Sequence, residues 1–161
     1  MAAAQGNWRE CGSNGMSLAA GLESILHEEI PISQAMGVRV AGCDGSSLRL
    51  TAPLAPNINH KCTAFGGSLF SLAVLCGWGM VHLKLAEARL HKHIVIQESN
   101  IRYLLPVDQE MHAECRLDDA AFRQFMRTLE RHGRARLSLD VVITHHGQPA
   151  VEFSGRYVVH G

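Results

Sequence analysis

No charge of one sign dominates this chain of 161 residues: fifteen Lys and Arg balance fifteen Asp and Glu. There is therefore no basic field to attract nucleic acid or an anionic membrane surface by charge. No C-x-x-C spacing occurs among the five cysteines, Cys11, Cys43, Cys62, Cys76 and Cys115, and their number is odd. That argues against a disulfide framework or a zinc knuckle and predicts a reducing, cytoplasmic location. No apolar h-region occurs in residues 1–16, a mixture of Ala, Gly, Asn and Ser, so this segment is not read as a secretory signal. It is expected to be a flexible lead-in to one domain over 17–161, a size that fits a single core. Internal repeats and low-complexity runs are missing too.

One further absence is local. Residues 62–83 contain no Asp, Glu, Lys or Arg, and Lys61 and Lys84 flank them. The stretch is long enough to cross a bilayer. However, Gly66, Gly67, Gly77, Gly79, Thr63, Ser68, Ser71 and His82 interrupt it, and the rest of the chain patterns like a soluble sheet protein. A helix that is apolar all round is then a helix buried in a core, and no membrane partner is expected.

Around that helix the periodicity changes several times. Leu18, Leu22, Ile25, Leu26 and Ile30 recur at helical spacing, with Ser17 as N-cap and Pro31 as stop. Residues 38–41 and 48–51 alternate about Cys43-Asp44-Gly45-Ser46 and predict a hairpin, which Pro53 and Pro56 end. The central helix is predicted over 68–90, leaving the core where Lys84, Glu87 and Arg89 appear. Strands follow over 94–105, which ends at Pro106, and over 111–117. Residues 118–132 read as a short amphipathic helix or an elaborated loop. Strands over 134–144 and 149–159 flank the turn His145-His146-Gly147-Gln148. The fold class is α+β, a curled antiparallel sheet wrapped around one long helix, because such a helix needs burial on nearly every side.

The chemistry concentrates in residues 57–68, where Asn57, Asn59 and His60 run into Phe65-Gly66-Gly67-Ser68 and the start of the helix. A helix N-terminus presents unpaired amides and a positive dipole end, and glycine lets a ligand oxygen approach them. Amides near Gly66, Gly67 and Ser68 are thus candidates to hold an oxyanion. Asn59 could orient water or a carbonyl, and His60 could act as a base near neutral pH. The competing readings are that asparagines cap turns and that glycines permit close packing. Ser68 reads first as the helix N-cap or a first-turn residue, and only second as a catalytic one. Ser71, one turn on, could bond a water or its own helix backbone.

The segment Asn59-His60 with Phe65-Gly66-Gly67 resembles the N-H-x-x-T-x-F-G-G motif of acyl-CoA thioesterases of the hotdog fold. Residues 100–107 are similar to a strand motif, aromatic-Leu-x-Pro, that these enzymes share with PaaI-type thioesterases. Asn57 to Lys61, Ala64 to Leu69, Gly77-Trp78-Gly79 and Gly133-Arg134-Ala135 look like the thioesterase domain at the C-terminus of YiiD proteins. The resemblance covers about 17–159. It implies a hotdog fold, at least a homodimer or a dimer of dimers, and hydrolysis of an acyl thioester on coenzyme A or acyl carrier protein. Coenzyme A or phosphopantetheine would enter as part of the substrate, with no separate cofactor. By the same likeness the candidate catalytic residues are Asn59, His60, Gly67 and Ser68. The candidate substrate-binding residues are Asn57, Phe65, Gly66, Ser71, Glu98 and Arg102.

This chain departs from that pattern at Val74, where the better-understood relatives carry a helix Asp or Glu. No acid occurs on the helix before Glu87. Glu98 from a partner strand is one candidate replacement. Arg102, Arg131 and Arg134 could meet phosphates of coenzyme A. Cys62 and Cys76 read as buried structural thiols. Two other functions stay open: a non-catalytic acyl-thioester binder, which Val74 favours, and a dehydratase, whose Asp–His pattern is missing. Among ten histidines only His91/His93 and His145/His146 are close pairs, with no acid at ligand spacing, so no metal is expected.

Overall fold

The computed structural model describes residues 18–161. The lead-in over 1–16, the Ser17 cap and Cys11 lie outside the described residues. Helix α1 (Leu18–Glu29) buries Leu22 and Leu26. Pro31 ends it as expected, but it also opens a short second helix, α2 (Pro31–Ala35), at the first-turn position that proline suits. Strands β1 (Arg39–Cys43) and β2 (Ser47–Ala52) form the expected hairpin, and a single 3-10 turn over Ala55–Asn57 follows. Helix α3 runs over Gly66–Glu87. Strand β3 (His93–Tyr103), strand β4 (Met111–Arg116), helix α4 (Asp119–His132) and strands β5 (Arg134–His145) and β6 (Gln148–His160) complete the chain.

The six strands form one antiparallel sheet in the order β1-β2-β4-β5-β6-β3. It curls around α3, which packs against β2, β3, β4, β5, β6 and α1. This is the hotdog arrangement. The helix buries residues on every side, among them Leu69, Leu72, Ala73, Cys76, Met80, Val81 and Leu85. The charge-free stretch is thus a core helix.

Three local outcomes on the central helix differ from the sequence reading. The central helix starts two residues earlier than expected, on the double glycine itself. It also stops sooner, at Glu87, because Arg89 takes a left-handed φ of +57°. The Arg89 amide then donates to Ala86 O and the Leu90 amide to Leu85 O, closing the last carbonyls in a Schellman turn. Lys84 does not mark emergence from the core. It is buried, donates to Gly45 O at 3.0 Å, pairs with Glu87 at 3.1 Å and lies over the Phe122 ring. Residues 119–132 settle as a true helix, because Asp118 caps the Ala121 amide and Gly133 closes the C-terminus at φ +66°.

A close approach explains one glycine in α3. A Cβ on Gly77 would collide with the hydroxyl of Tyr157, a fully buried side chain on β6 that donates to Val74 O at 2.8 Å. Helix-interior glycine costs about 0.5–1 kcal/mol relative to alanine; here it lets the sheet close on the helix.

Candidate active site

The loop before α3 is organised by its own asparagines. Ile58 and Ala64 form a single antiparallel bridge, and the Asn59 amide donates to Thr63 O at 2.8 Å. Asn59 Oδ1 accepts from the amides of Lys61 (2.8 Å) and Thr63 (3.2 Å), while its Nδ2 donates to Thr63 Oγ1 at 3.0 Å. Its side chain is therefore spent on folding the turn. His60, at the tip, is exposed. Cys62 adopts φ +62° and is exposed. That corrects the expectation of a buried thiol, because the tight turn between Asn59 and Thr63 carries it to the surface. Cys76 is buried as expected, and burial pushes its thiol well above the usual range. The same cause pushes Cys115 up to about 12.

Asn57 anchors the loop from below. It is 2% exposed, and its Nδ2 donates to both Met36 O and Pro53 O at 2.8 Å, joining the end of α2 to the segment after β2. Its Oδ1 is buried with no hydrogen-bond partner among the described residues. Its backbone carbonyl accepts the Phe65 amide at 2.7 Å. Val107, fully buried in the β3–β4 connection, accepts the Ala64 amide at 2.7 Å. The entry to α3 is thus pinned on both sides.

The amides at that entry divide unequally. Ser68 donates its N–H to Phe65 O at 2.9 Å, and Leu69 donates to the same oxygen at 3.0 Å. Ser68 is therefore engaged in the first helical turn. Gly66 and Gly67 occupy the first two helical positions after the N-cap Phe65, which makes no side-chain cap bond, so their N–H groups have no intrahelical acceptor. The carbonyls on the same peptide units are both engaged. Phe65 O takes the two helix amides, and Gly66 O accepts the Tyr103 hydroxyl at 2.9 Å. Hydrogen bonding to a peptide carbonyl polarises the unit and strengthens its N–H as a donor. Ser71 donates to Gly67 O at 2.8 Å, so its hydroxyl serves its own helix.

The glycines differ in what they permit. A Cβ on Gly67 would collide with the Phe65 ring, which folds over it. A Cβ on Gly66 would make ordinary 3.5 Å contacts with the Tyr103 ring. Tyr103 ends β3 and is the aromatic of the strand motif; its hydroxyl role was not legible because the bond crosses from β3 to α3. Phe65 and Tyr103, with Ile58, Leu104 and Leu105, are exposed apolar groups at this end of the molecule.

Glu98 and Arg102 lie elsewhere. In the β3–β6 ladder Glu98 faces Arg156 and Arg102 faces Glu152, with ion pairs of 2.9 and 3.1 Å. Along β6 the alternate residues Val151, Phe153 and Tyr157 are buried against the helix. The two pairs therefore stand on the outer, solvent face, away from the Gly66 and Gly67 amides of the same chain. Arg131 and Arg134 are exposed on either side of Gly133. Val74 carries no acid, and the first carboxylate on α3, Glu87, is held by Lys84.

A curled sheet around one helix, with paired glycines opening that helix, defines a hotdog protein of the thioesterase type. The chain belongs to the family described as "Putative thioesterase (yiiD_Cterm)", whose model matches residues 19–161. It is similar to a protein of unknown function from Chlorobaculum tepidum, with 38% identity and a TM-score of 0.84 over 89% of this chain and 94% of that one. A "putative thioesterase" from Shewanella oneidensis shares 33% identity and a TM-score of 0.83, over 89% and 98%. The PaaI protein of the E. coli phenylacetic acid degradation operon, at 16% identity and a TM-score of 0.62 over 89% and 94%, shares the fold.

Proposed function

We propose that this protein hydrolyses an acyl thioester carried on coenzyme A or acyl carrier protein, releasing the free acid and the thiol. The observation that carries this reading is the pair of amides at Gly66 and Gly67, free of intrahelical acceptors and each backed by a hydrogen-bonded carbonyl. The thioester carbonyl would accept from these amides, and the oxyanion formed on attack by water would accept more strongly. Donors aimed at developing charge are typically worth about 10²–10³ in rate each. Asn59 serves by holding the loop, and Ser68 by setting the first turn. The exposed Ile58, Phe65, Tyr103, Leu104 and Leu105 fit an apolar acyl chain beside these donors.

The reading includes a homodimer. Strand β3 ends the sheet order, so one of its edges is unpaired among the described residues, and it exposes Val95, Ile96 and Tyr103. A long apolar edge strand is covered in most proteins. Pairing of β3 with its two-fold mate covers it and would bring the mate's residues towards the Gly66 end. His60 or a group of the second subunit would then manage the water. Coenzyme A phosphates would meet exposed arginines such as Arg131 and Arg134, and the buried free thiols suit a cytoplasmic setting. Val74 favours a second reading, a binder of acyl thioesters without turnover.

The test is thiol release from short, medium and aromatic acyl thioesters on both carriers. Turnover that Gly67→Val and Asn59→Ala reduce supports hydrolysis. No release from any of them overturns it, and tight acyl-CoA binding without release selects the second reading.

A further inference from the structure

Three ligand-bearing side chains that the thioester site does not use converge at the β5–β6 turn. The sequence offers His145 and His146 with no acid nearby, but the fold brings Asp108 to them from the β3–β4 connection. His145 Nε2 lies 3.0 Å from Asp108 Oδ1, and the two imidazoles have centroids 4.1 Å apart. One ligand atom from each of the three residues lies within 4.8 Å of the other two. It is the one group of at least three His, Cys, Asp or Glu side chains so gathered among the described residues.

We propose that Asp108, His145 and His146 form a binding site for a divalent transition-metal ion of the zinc type. Two imidazoles and one carboxylate suit zinc, cobalt or nickel; calcium and magnesium prefer sites made of oxygen alone. Zinc binds imidazole nitrogen and carboxylate oxygen at about 2.0–2.2 Å, which puts tetrahedral donors about 3.4 Å apart. Rotation of the exposed Asp108 and His146 side chains closes the remaining gap. His145 would exchange its bond to Asp108 for a bond to the ion, and a fourth position stays open to solvent.

The backbone supports this reading independently. Successive strand residues face opposite ways, so His145 and His146 would diverge on a regular strand. His145 is the last paired residue, opposite Gln148. His146 then takes φ +50° ahead of Gly147 at +74°, in a two-residue turn where Asn or Asp is usual. A left-handed conformation is unfavourable for a residue other than glycine, and here it returns the second imidazole to the side of the first. The other two ligands come from anchored backbone. The His145 side chain is only 11% exposed. Asp108 follows Val107, and the Leu104 and Leu105 amides both donate to Ala150 O, at 2.8 and 3.2 Å. Because Val107 O also holds the Ala64 amide, an ion here would brace the connection that pins the entry of α3.

The test uses the untagged, metal-stripped 161-residue chain carrying Cys62→Ser, which removes the thiol exposed among the described residues as a competing ligand. Zinc is titrated against a chromophoric chelator, and cobalt(II) is followed by visible absorption. The expected result is one equivalent per chain with a tetrahedral cobalt spectrum. Asp108→Asn and His146→Asn should each weaken binding by at least the roughly 10–100-fold that loss of even an outer partner costs. Asparagine tolerates the left-handed turn, so His146→Asn keeps the hairpin. A His91→Ala/His93→Ala variant should bind as the parent does. Zinc should also raise the unfolding temperature of the parent and not that of Asp108→Asn. Unchanged affinity in both asparagine variants, or no stoichiometric binding by the parent, would show that the cluster only ties the hairpin to the loop and would overturn the proposal. None of these readouts depends on thioester turnover.

Discussion

The hydroxyl of Tyr103 donates to the carbonyl of Gly66 at 2.9 Å, joining the end of β3 to the first residue of α3. The peptide unit that accepts this bond carries the Gly67 N–H on its other side, so Tyr103 acts on the proposed oxyanion donor through the amide. Tyr103→Phe should keep the fold and lower kcat. A neutral hydrogen bond is worth about 0.5–1.5 kcal/mol net, which corresponds to roughly two- to tenfold. A change in KM with kcat intact would instead make Tyr103 a substrate contact.

The two glycines should respond unequally to alanine. A methyl at Gly67 meets the Phe65 ring, whereas one at Gly66 meets only ordinary contacts. Gly67→Ala should therefore lose more activity than Gly66→Ala, and Phe65→Ala in the Gly67→Ala background should restore part of it. Equal losses without rescue would mean that backbone approach, and not the ring, requires glycine.

Asn59 is expected to act through the loop. Asn59→Ala removes acceptors for two amides and the donor to Thr63 Oγ1, so it should reduce activity and lower stability by about 1–2 kcal/mol, as loss of a comparable side-chain cap does. Asn59→Asp keeps the acceptors and should retain more of both. Thermal unfolding and turnover of the two variants check this.

Two helical glycines offer a paired stability test. Gly77→Ala drives a methyl into the buried Tyr157 hydroxyl and should cost about 1–3 kcal/mol, a typical overpacking penalty. Gly21 in α1 has nothing within 4 Å of an added Cβ. Gly21→Ala should therefore stabilise by up to about 1 kcal/mol. Each kcal/mol should move Tm by about 2–4 °C in a domain of this size.

Stability should fall on mild acidification, with His82 contributing. Burial holds its imidazole below the usual 6.5, partly offset by Glu29, and it stacks on Trp78 with centroids 5.0 Å apart. Above 6.5 both folded and unfolded forms are neutral at this site. As pH drops below that value the unfolded chain takes up a proton before the folded one does, so stability declines until the folded His82 also titrates. Urea midpoints across this range should show the decline, and His82→Gln should flatten it.

How much of this was legible in the chain depends on how far apart the interacting residues lie. Local signals were readable. The charge-free stretch before Lys84 marked a helix with no solvent face, the alternation in β5 and β6 marked strands, and Pro31 punctuated correctly. The double glycine also marked the right helix end, because free amides at a helix start follow from hydrogen-bond geometry alone. Partnerships across the fold were not readable. Ser68 and Asn59 looked available for chemistry until the turn consumed their groups, and Tyr103 gained its role only when β3 reached α3. Asp108 met His145 and His146 only when the β3–β4 connection came to lie beside the β5–β6 turn. By itself the sequence determined most of the helix and strand segments, α2 and the helix over 119–132 excepted, and that a helix opens beside the double glycine, since these depend on neighbours a few residues apart. Only the tertiary structure decided which polar groups are spent on folding and which are left to act, because each has few bonding positions and the folded sheet chooses what fills them.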